Sequence, residues 1–201
     1  VDVGRLNDQT VCCVFRVNVS NDGKYFATLV NLYVLGRQAE TKTFNRQAIE
    51  LKRIIKKFNP LEVVIDTNGL GIGFADEMIR EQVDEFGNIY EPLGFKNDED
   101  FLKVQPKDAI CILYGLKANG PLNSNILGNA YTRINGSLVR FLIKEQEAKN
   151  ALLSTKVGQK MTVTQRVQRL MPHEMTTKLF EEMANLRLRR TGVSLDIVLE
   201  Q

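Results

Sequence analysis

Several residue types and motifs are scarce or missing in this 201-residue sequence, and each absence excludes a class of protein. Its three cysteines form an odd set without CxxC spacing, which argues against a structural zinc site and a disulfide framework. A single histidine argues against a His-rich metal site or a Ser-His-Asp relay. No apolar run approaches the roughly 18 residues of a membrane-spanning helix, so we expect a soluble chain with no membrane partner. GxxxxGK[ST] is also missing, which excludes a P-loop.

Charge is distributed unevenly along the chain, although the net charge is only +3. Residues 140–190 hold eleven Lys and Arg against five Glu, whereas the rest of the chain holds sixteen against nineteen Asp and Glu. A basic segment joined to an acidic one is expected of a protein that holds metal with one region and a polyanion with the other. The alternative interpretation is a basic, solvated face.

The hydrophobic pattern predicts strands and helices in the order β-β-β-α-β-α, followed by further elements of both kinds. The predicted strands cover residues 1–3, 10–19, 25–35, 61–66, 110–117 and 138–143. The predicted helices cover residues 43–58, 74–86 and 123–133. Residues 145–190 are expected to be mostly helical, with a break or a new start at Pro172 and a capped helix from Thr176 and Thr177. Since no linker is visible, we predict one α/β domain over residues 1–201, with a central mixed sheet flanked by helices.

Two acids stand out by their position on predicted strands. Asp2 lies in the first strand, and Asp66 closes an apolar strand that is expected to be buried on both faces. A charged group at the end of a central strand carries a desolvation penalty of several kcal/mol unless it is paired or metal-bound. If the two strands are neighbours, the acids face each other across a gap that suits Mg²⁺ or Mn²⁺. Alternatively, each acid is a helix N-cap or a turn former.

The glycine-rich loop at residues 69–73 follows the strand that Asp66 closes. Its spacing is GxGxG rather than the GxGxxG of dinucleotide-binding proteins, and Asp66 would repel a pyrophosphate. We therefore interpret the glycines as structural, since they let the backbone turn sharply beside Asp66 and let a phosphodiester approach.

Taken in order, these segments resemble a known family of nucleases. Val1-Asp2-Val3-Gly4, two long strands, a helix and residues 63–71 (VVIDTNGLG) are similar to the nuclease domain of the large terminase subunit of tailed phages and prophages. The similarity continues through residues 117–119, 122–124, 140–143, 155–161 and 185–186, and so spans nearly the whole chain. It implies a ribonuclease H-like fold and a metal-dependent endonuclease that cuts double-stranded concatemeric viral DNA during packaging.

The resemblance also implies roles for individual acids. Asp2 would bridge two Mg²⁺ or Mn²⁺ ions about 3.5–4 Å apart, and Asp66 would hold one of them. Asp8 matches an acid that is often found near the site of this family. The third acid of the family comes from a C-terminal segment similar to Lys-Asp-Arg/Lys-x-Ser. No such segment follows Asp196 here, so we expect the third acid beyond Gln201, with Asp196 as the alternative. Asp108 lies where the family has a different strand and is not assigned a role.

The remaining expectations concern partners. Lys160, Arg166 and Arg169 are candidate contacts to the phosphates of double-stranded DNA, and such contacts position a duplex without reading its sequence. The resemblance implies a terminase ATPase domain, a small terminase subunit and a portal protein as partners, in the cytoplasm of a bacterial host. One alternative is an actin-like nucleotide-binding domain, which needs a second Asp-x-Gly-Gly loop that is not found. Another is a ribonuclease H-like scaffold that binds DNA without cutting it.

Overall fold

The computed structural model describes residues 1–4, 9–37, 41–191 and 194–199, with the backbone alone for residues 186–199. It has a mixed α/β architecture, as predicted. The strands are β1 (Thr10–Val19), β2 (Tyr25–Leu35), β3 (Val63–Asp66), β4 (Gln82–Val83), β5 (Ile89–Tyr90), β6 (Leu93–Phe95), β7 (Ile110–Leu116), β8 (Val139–Arg140), β9 (Leu186–Thr191) and β10 (Ser194–Leu199). The helices are α1 (Phe44–Phe58), α2 (Leu70–Met78), α3 (Glu99–Val104), α4 (Gly120–Asn135), α5 (Glu145–Leu153), α6 (Lys156–Lys160) and α7 (Val163–Ala184). Within these described ranges, no helix is long and apolar enough to cross a membrane.

The chain divides into two compact units. Unit 1 comprises Val1–Cys12 and Val34–Ala118, and unit 2 comprises Cys13–Tyr33 and Asn119–Gln201. Two of the boundaries therefore fall inside β1 and β2, and the third lies between β7 and α4. The prediction of a single domain stays a prediction.

Residues 1–3 form the centre of the sheet of unit 1. Asp2 pairs antiparallel with Val11 of β1, through backbone hydrogen bonds of 3.0 and 2.9 Å. On the other side, Val1 N donates to Val64 O (2.6 Å) and Asp66 N donates to Val1 O (3.0 Å), which is a parallel pairing with β3. β3 pairs parallel with β7, and β7 pairs parallel with β6. The order in this unit is thus β1, residues 1–3, β3, β7 and β6, with β1 antiparallel to the others.

Helix α1 follows closely the helix predicted over residues 43–58. It begins where the Thr43 hydroxyl accepts a hydrogen bond from Arg46 N, and it ends at Asn59, whose φ of 44° is left-handed. Pro60 cannot continue the helix because it has no N–H. Helices α1 and α2 contact each other, and the core of unit 1 consists of fully buried apolar side chains: Ala48, Leu51, Ile65, Phe74, Phe95 and Leu113.

Helix α2 differs from the helix predicted over residues 74–86, because it begins at Leu70 and ends at Met78. Gly69 has a φ of 51°, which lets the chain enter the helix directly after β3. The residues after Met78 form the hairpin β4–β5 instead. In that hairpin the buried Asp84 carboxylate accepts hydrogen bonds from the backbone N–H groups of Phe86 (2.9 Å) and Asn88 (2.8 Å), so the turn is stabilised by its own side chain.

Unit 2 also departs from the predicted pattern. The strand predicted over residues 138–143 is reduced to β8, which pairs parallel with Ala27 and Thr28 of β2. Its long helix α7 begins at a capping box, in which Thr162 and Gln165 each accept a hydrogen bond from the other's backbone. Residues 145–190 are mostly helical, as predicted, but the helix was expected to include Leu186, where β9 begins instead and pairs with β10.

Pro172 does not break α7, contrary to the prediction. The two threonines that were expected to cap a new helix lie in its interior. Thr176 Oγ1 donates to Pro172 O (2.8 Å), and Thr177 Oγ1 donates to His173 O (3.0 Å). Hydroxyl groups in helices commonly bond the carbonyl four residues back, so these threonines continue the helix rather than start one.

Candidate functional site

Asp2 and Asp66 lie side by side on neighbouring parallel strands. The two hydrogen bonds of Val1 place it opposite Ile65, so the next residues along each strand, Asp2 and Asp66, are also opposite each other. Residues paired in this way are about 4.8 Å apart at Cα, and their side chains leave the same face of the sheet. Two carboxylates that are 64 positions apart in sequence are therefore neighbours on one face of the sheet.

The surroundings of these carboxylates suit a divalent cation. Asp2 is exposed and Asp66 is half-buried, so both carboxylates reach solvent. Asp66 Oδ1 accepts a hydrogen bond from Asn68 N (2.9 Å), which takes one of about four acceptor positions of the carboxylate. Two adjacent carboxylates repel each other, and hard oxygen ligands of this kind fit Mg²⁺ or Mn²⁺. The described residues contain no group of three or more His, Cys, Asp or Glu that could hold a metal.

The glycines of the loop after β3 each have a different structural role. A Cβ at Gly71 would lie 1.9 Å from Asp66 O, which no side chain can do, so only glycine allows α2 to start against the Asp66 backbone. A Cβ at Gly73 would meet the Phe44 ring at 3.1 Å. Gly69 needs its left-handed φ, but has open space around it. The loop thus brings the N-terminus of α2 into close contact with the backbone of Asp66.

A second polar group lies at the same carboxyl edge of the sheet, where β6 and β7 end. The Asn97 side chain pairs with Gly115 of β7 through two hydrogen bonds of 2.8 Å. Asp98 is buried, and its Oδ2 lies 2.9 Å from Lys117 Nζ. Burial raises the pKa of Asp98, but the Lys117 ammonium and the Asp100 N–H outweigh it, so this pKa lies below its ordinary value. The Asp98 carboxylate raises the pKa of Lys117, so both groups are charged near neutral pH.

Sequence reasoning missed the ion pair of Asp98 with Lys117 because it missed β6, the strand that Asp98 follows. This strand has only three residues, one of which is Gly94, so its apolar pattern is too short to stand out. An available signal was the same as for Asp66: the buried residues Leu93 and Phe95 are followed within three positions by an acid. Residues 93–98, a short apolar segment that ends in Asn-Asp, thus resemble residues 63–67, and both patterns indicate an acid at the carboxyl end of a strand.

The other acids that the sequence analysis considered are Asp8, Asp196 and Asp108. Asp8 lies outside the described residues. Asp196 belongs to β10, where its backbone pairs with Arg189. Asp108 is exposed and precedes β7, so it lies at the amino end of the parallel strands, opposite to the end that Asp66 occupies.

The three candidate DNA contacts lie in unit 2, in different settings. Lys160 is the exposed last residue of α6, and Arg169 is exposed on α7. Arg166 is half-buried, and its guanidinium donates to Gly158 O (3.2 Å) and Gln159 O (2.8 Å). Arg166 therefore caps the C-terminal end of α6, whereas the other two present their charge to solvent.

Comparisons of the chain with protein-family models, with curated proteins and with solved structures found no match.

Proposed function

We propose that the chain is a metal-dependent DNA endonuclease of the terminase kind, which cuts double-stranded DNA by phosphodiester hydrolysis. The observation that carries this proposal is the pairing register that puts Asp2 beside Asp66. Asp2 and Asp66 are the catalytic metal ligands in this proposal, and a terminase ATPase domain, a small terminase subunit and a portal protein are the proposed protein partners. The proposed location is the cytoplasm of a bacterial host.

A ribonuclease H-like fold is part of the proposal. Its support is the order of elements in the first half of the chain, in which a hairpin follows residues 1–3 and a helix then leads to β3. Further support is that residues 1–3 have an antiparallel neighbour, β1, on one side and a parallel neighbour, β3, on the other. This arrangement makes Asp2, in residues 1–3, a neighbour of Asp66, at the end of β3.

The residues of the site have separate tasks in this proposal. Two Mg²⁺ or Mn²⁺ ions would supply Lewis-acid activation of the water and the scissile phosphate. In this proposal Asp2, which is exposed, would be a ligand of both ions, and Asp66 would hold one of them. The bond between Asp66 Oδ1 and Asn68 N fixes the orientation of the second carboxylate before any ligand arrives. Water would add to phosphorus and give up a proton to solvent as the bond to the 3′ oxygen breaks, and that oxygen would take up a proton as it leaves.

Binding of Mn²⁺ tests the carboxylate pair directly. We expect the chain to bind one Mn²⁺ more tightly than a second, because two carboxylates alone are too few ligands for two ions. Asp2→Asn and Asp66→Asn should each weaken the tighter binding about tenfold or more, as measured by the electron paramagnetic resonance signal of free Mn²⁺. Asp108→Asn removes an equivalent exposed charge at the other edge and should leave binding unchanged. Binding that all three variants retain would contradict the proposed site and would favour a scaffold that does not cut.

The proposed DNA contacts predict a change in salt dependence. Each cation that meets a phosphate contributes about 0.9 to the slope of log K against log salt. Replacing Lys160 and Arg169 together by Gln should therefore lower the slope by about 1.8, equally for unrelated duplex sequences. Lys178→Gln is the matched control, because that lysine of α7 pairs with Glu174 at 2.8 Å. An unchanged slope in the double variant would mean that these residues form only a solvated face.

A further inference from the structure

The sheet face that carries the two carboxylates also carries apolar side chains that reach solvent. Between β3 and β7, Val64 pairs with Tyr114 and Asp66 pairs with Leu116. Every second residue of a strand points to the same face, so Val64 and Tyr114 lie on the face of Asp66 and its neighbour Asp2. Val64 is 41% exposed and Tyr114 is 39% exposed. An aromatic ring thus lies open to solvent on the side of the sheet that holds the candidate metal ligands.

Burial along the same strands confirms which way Tyr114 points. Val63, Ile65 and Leu113 alternate with the residues of the open face, and each of them is at most 8% exposed. They belong to the core of unit 1, on the opposite face of the sheet. An aromatic residue beside a β-branched one on a neighbouring strand is a stabilising pair, so Val64 supports the Tyr114 ring.

Tyr114 is one strand and two residues away from Asp66. Neighbouring strands are about 4.8 Å apart and each residue advances about 3.3 Å, which puts the two Cα atoms about 8 Å apart. Bases follow one another about every 3.4 Å along a DNA strand. A nucleotide that flanks a phosphate held at the carboxylates is therefore within reach of the Tyr114 ring.

The two kinds of surface on this face match the two parts of a nucleotide. Carboxylates and their divalent cations bind the phosphate, whereas a base has a flat face that stacks on an aromatic ring. Inside an intact duplex that face is covered by the neighbouring bases, so a base must leave the duplex stack before it can stack on a side chain. An open aromatic ring beside the carboxylate pair therefore favours a strand that is locally unpaired.

We propose that Tyr114 stacks on the base of a nucleotide that flanks the scissile phosphate, and that the site takes a DNA strand that is locally unpaired. This inference rests on the proposed function, since it assumes that the carboxylate pair receives a phosphodiester. Tyr114 is a binding residue and not a metal ligand, so its loss should lower DNA affinity and leave Mn²⁺ affinity unchanged.

Binding of a labelled duplex with a central bubble of mismatched pairs tests the contact. Ca²⁺ is the cation, because carboxylates bind it and binding is then measured apart from Mn²⁺-dependent cutting. Tyr114→Ala should weaken binding about tenfold, as fluorescence anisotropy would measure, because it removes the stacking surface. Tyr114→Phe keeps the ring and should keep the affinity. Phe86→Ala is the control, since Phe86 is 79% exposed in the β4–β5 hairpin of the same unit. An unchanged affinity in Tyr114→Ala would overturn the inference.

The same duplex without mismatches tests the requirement for an unpaired strand. Its bases stay stacked on one another, so Tyr114→Ala should weaken its binding by less than about twofold. Equal losses of affinity for the two duplexes would overturn this part of the inference.

A single tryptophan reports stacking directly. The 201 residues contain no tryptophan, so Tyr114→Trp places the only one beside the carboxylates and Phe86→Trp places the only one on the hairpin. In the presence of Ca²⁺, a single-stranded oligothymidylate should quench the emission of Tyr114→Trp, because a stacked base contacts the indole ring. The emission of Phe86→Trp should not change. Equal quenching in the two variants, or none in Tyr114→Trp, would contradict the stacking contact.

The outcomes for Tyr114 and for the proposed function are distinguishable. Mn²⁺ binding that depends on Asp2, combined with no quenching in Tyr114→Trp, would overturn the stacking contact alone. Quenching in Tyr114→Trp, combined with Mn²⁺ binding that survives Asp2→Asn, would support the base contact and contradict the nuclease site.

Discussion

Asp2→Asn and Asp66→Asn should each reduce Mn²⁺-dependent cutting of supercoiled plasmid to the background of the assay. Each substitution removes one of two carboxylates that lie on adjacent strands, and one carboxylate cannot hold the cations against the negative charge of the substrate. The fold should survive both changes. Asp2 is exposed, and an Asn at position 66 still offers a side-chain oxygen to Asn68 N.

The controls for this experiment follow from the sheet topology. Asp108→Asn changes an exposed acid at the amino end of β7 and should leave cutting unchanged. Because two carboxylates alone would hold two cations poorly, the unmodified chain should nick plasmid only weakly, so a long incubation and a gel that resolves nicked circles are needed. Cutting that persists in Asp2→Asn would overturn the nuclease assignment as a whole. Vigorous cutting that Asp196→Asn abolishes would identify Asp196 as the third acid.

Gly71→Ala should damage both stability and the metal site. The new Cβ would lie 1.9 Å from Asp66 O and 2.8 Å from its carbonyl carbon, so either α2 or the end of β3 must move. Overpacking of this kind lowers the free energy of unfolding by about 1–3 kcal/mol, or more where backbone must shift. Because the displaced backbone carries the Asp66 carboxylate, Mn²⁺ affinity should fall together with the urea midpoint.

Two nearby glycines provide matched controls for Gly71→Ala. In Gly73→Ala the Cβ meets a ring atom of Phe44 at 3.1 Å, and a side chain can give way more easily than a carbonyl. In Gly69→Ala nothing lies within 4 Å, but a φ of 51° strains any residue with a Cβ. We expect both variants to bind Mn²⁺ better than Gly71→Ala. Unchanged stability and Mn²⁺ affinity in Gly71→Ala would contradict the close approach of the loop to Asp66.

Elements with a strong local pattern were predicted well. The bounds of β1 and β2 agree with the prediction, because long β-branched and aromatic segments are joined by an Asp-Gly turn. Helix α1 was predicted within one residue, since Thr43 and Asn59-Pro60 mark its two ends. The errors lie where a local signal was weak or had two meanings. Thr176 and Thr177 look like caps in the sequence but lie inside α7.

The sequence by itself determined which chemical groups this protein has and where each stands along its own strand or helix. It placed an acid on residues 1–3 and an acid at the end of β3, because local periodicity and turn residues are set by neighbours a few positions apart. Only the tertiary structure decided which of these groups meet. The register that puts Asp2 beside Asp66, and the contact between Asp98 and Lys117, depend on how strands far apart in sequence pair with one another. Pairing of that kind leaves no mark on either segment alone, which is why the carboxylate pair was a hypothesis in the sequence and the ion pair of Asp98 with Lys117 was not predicted.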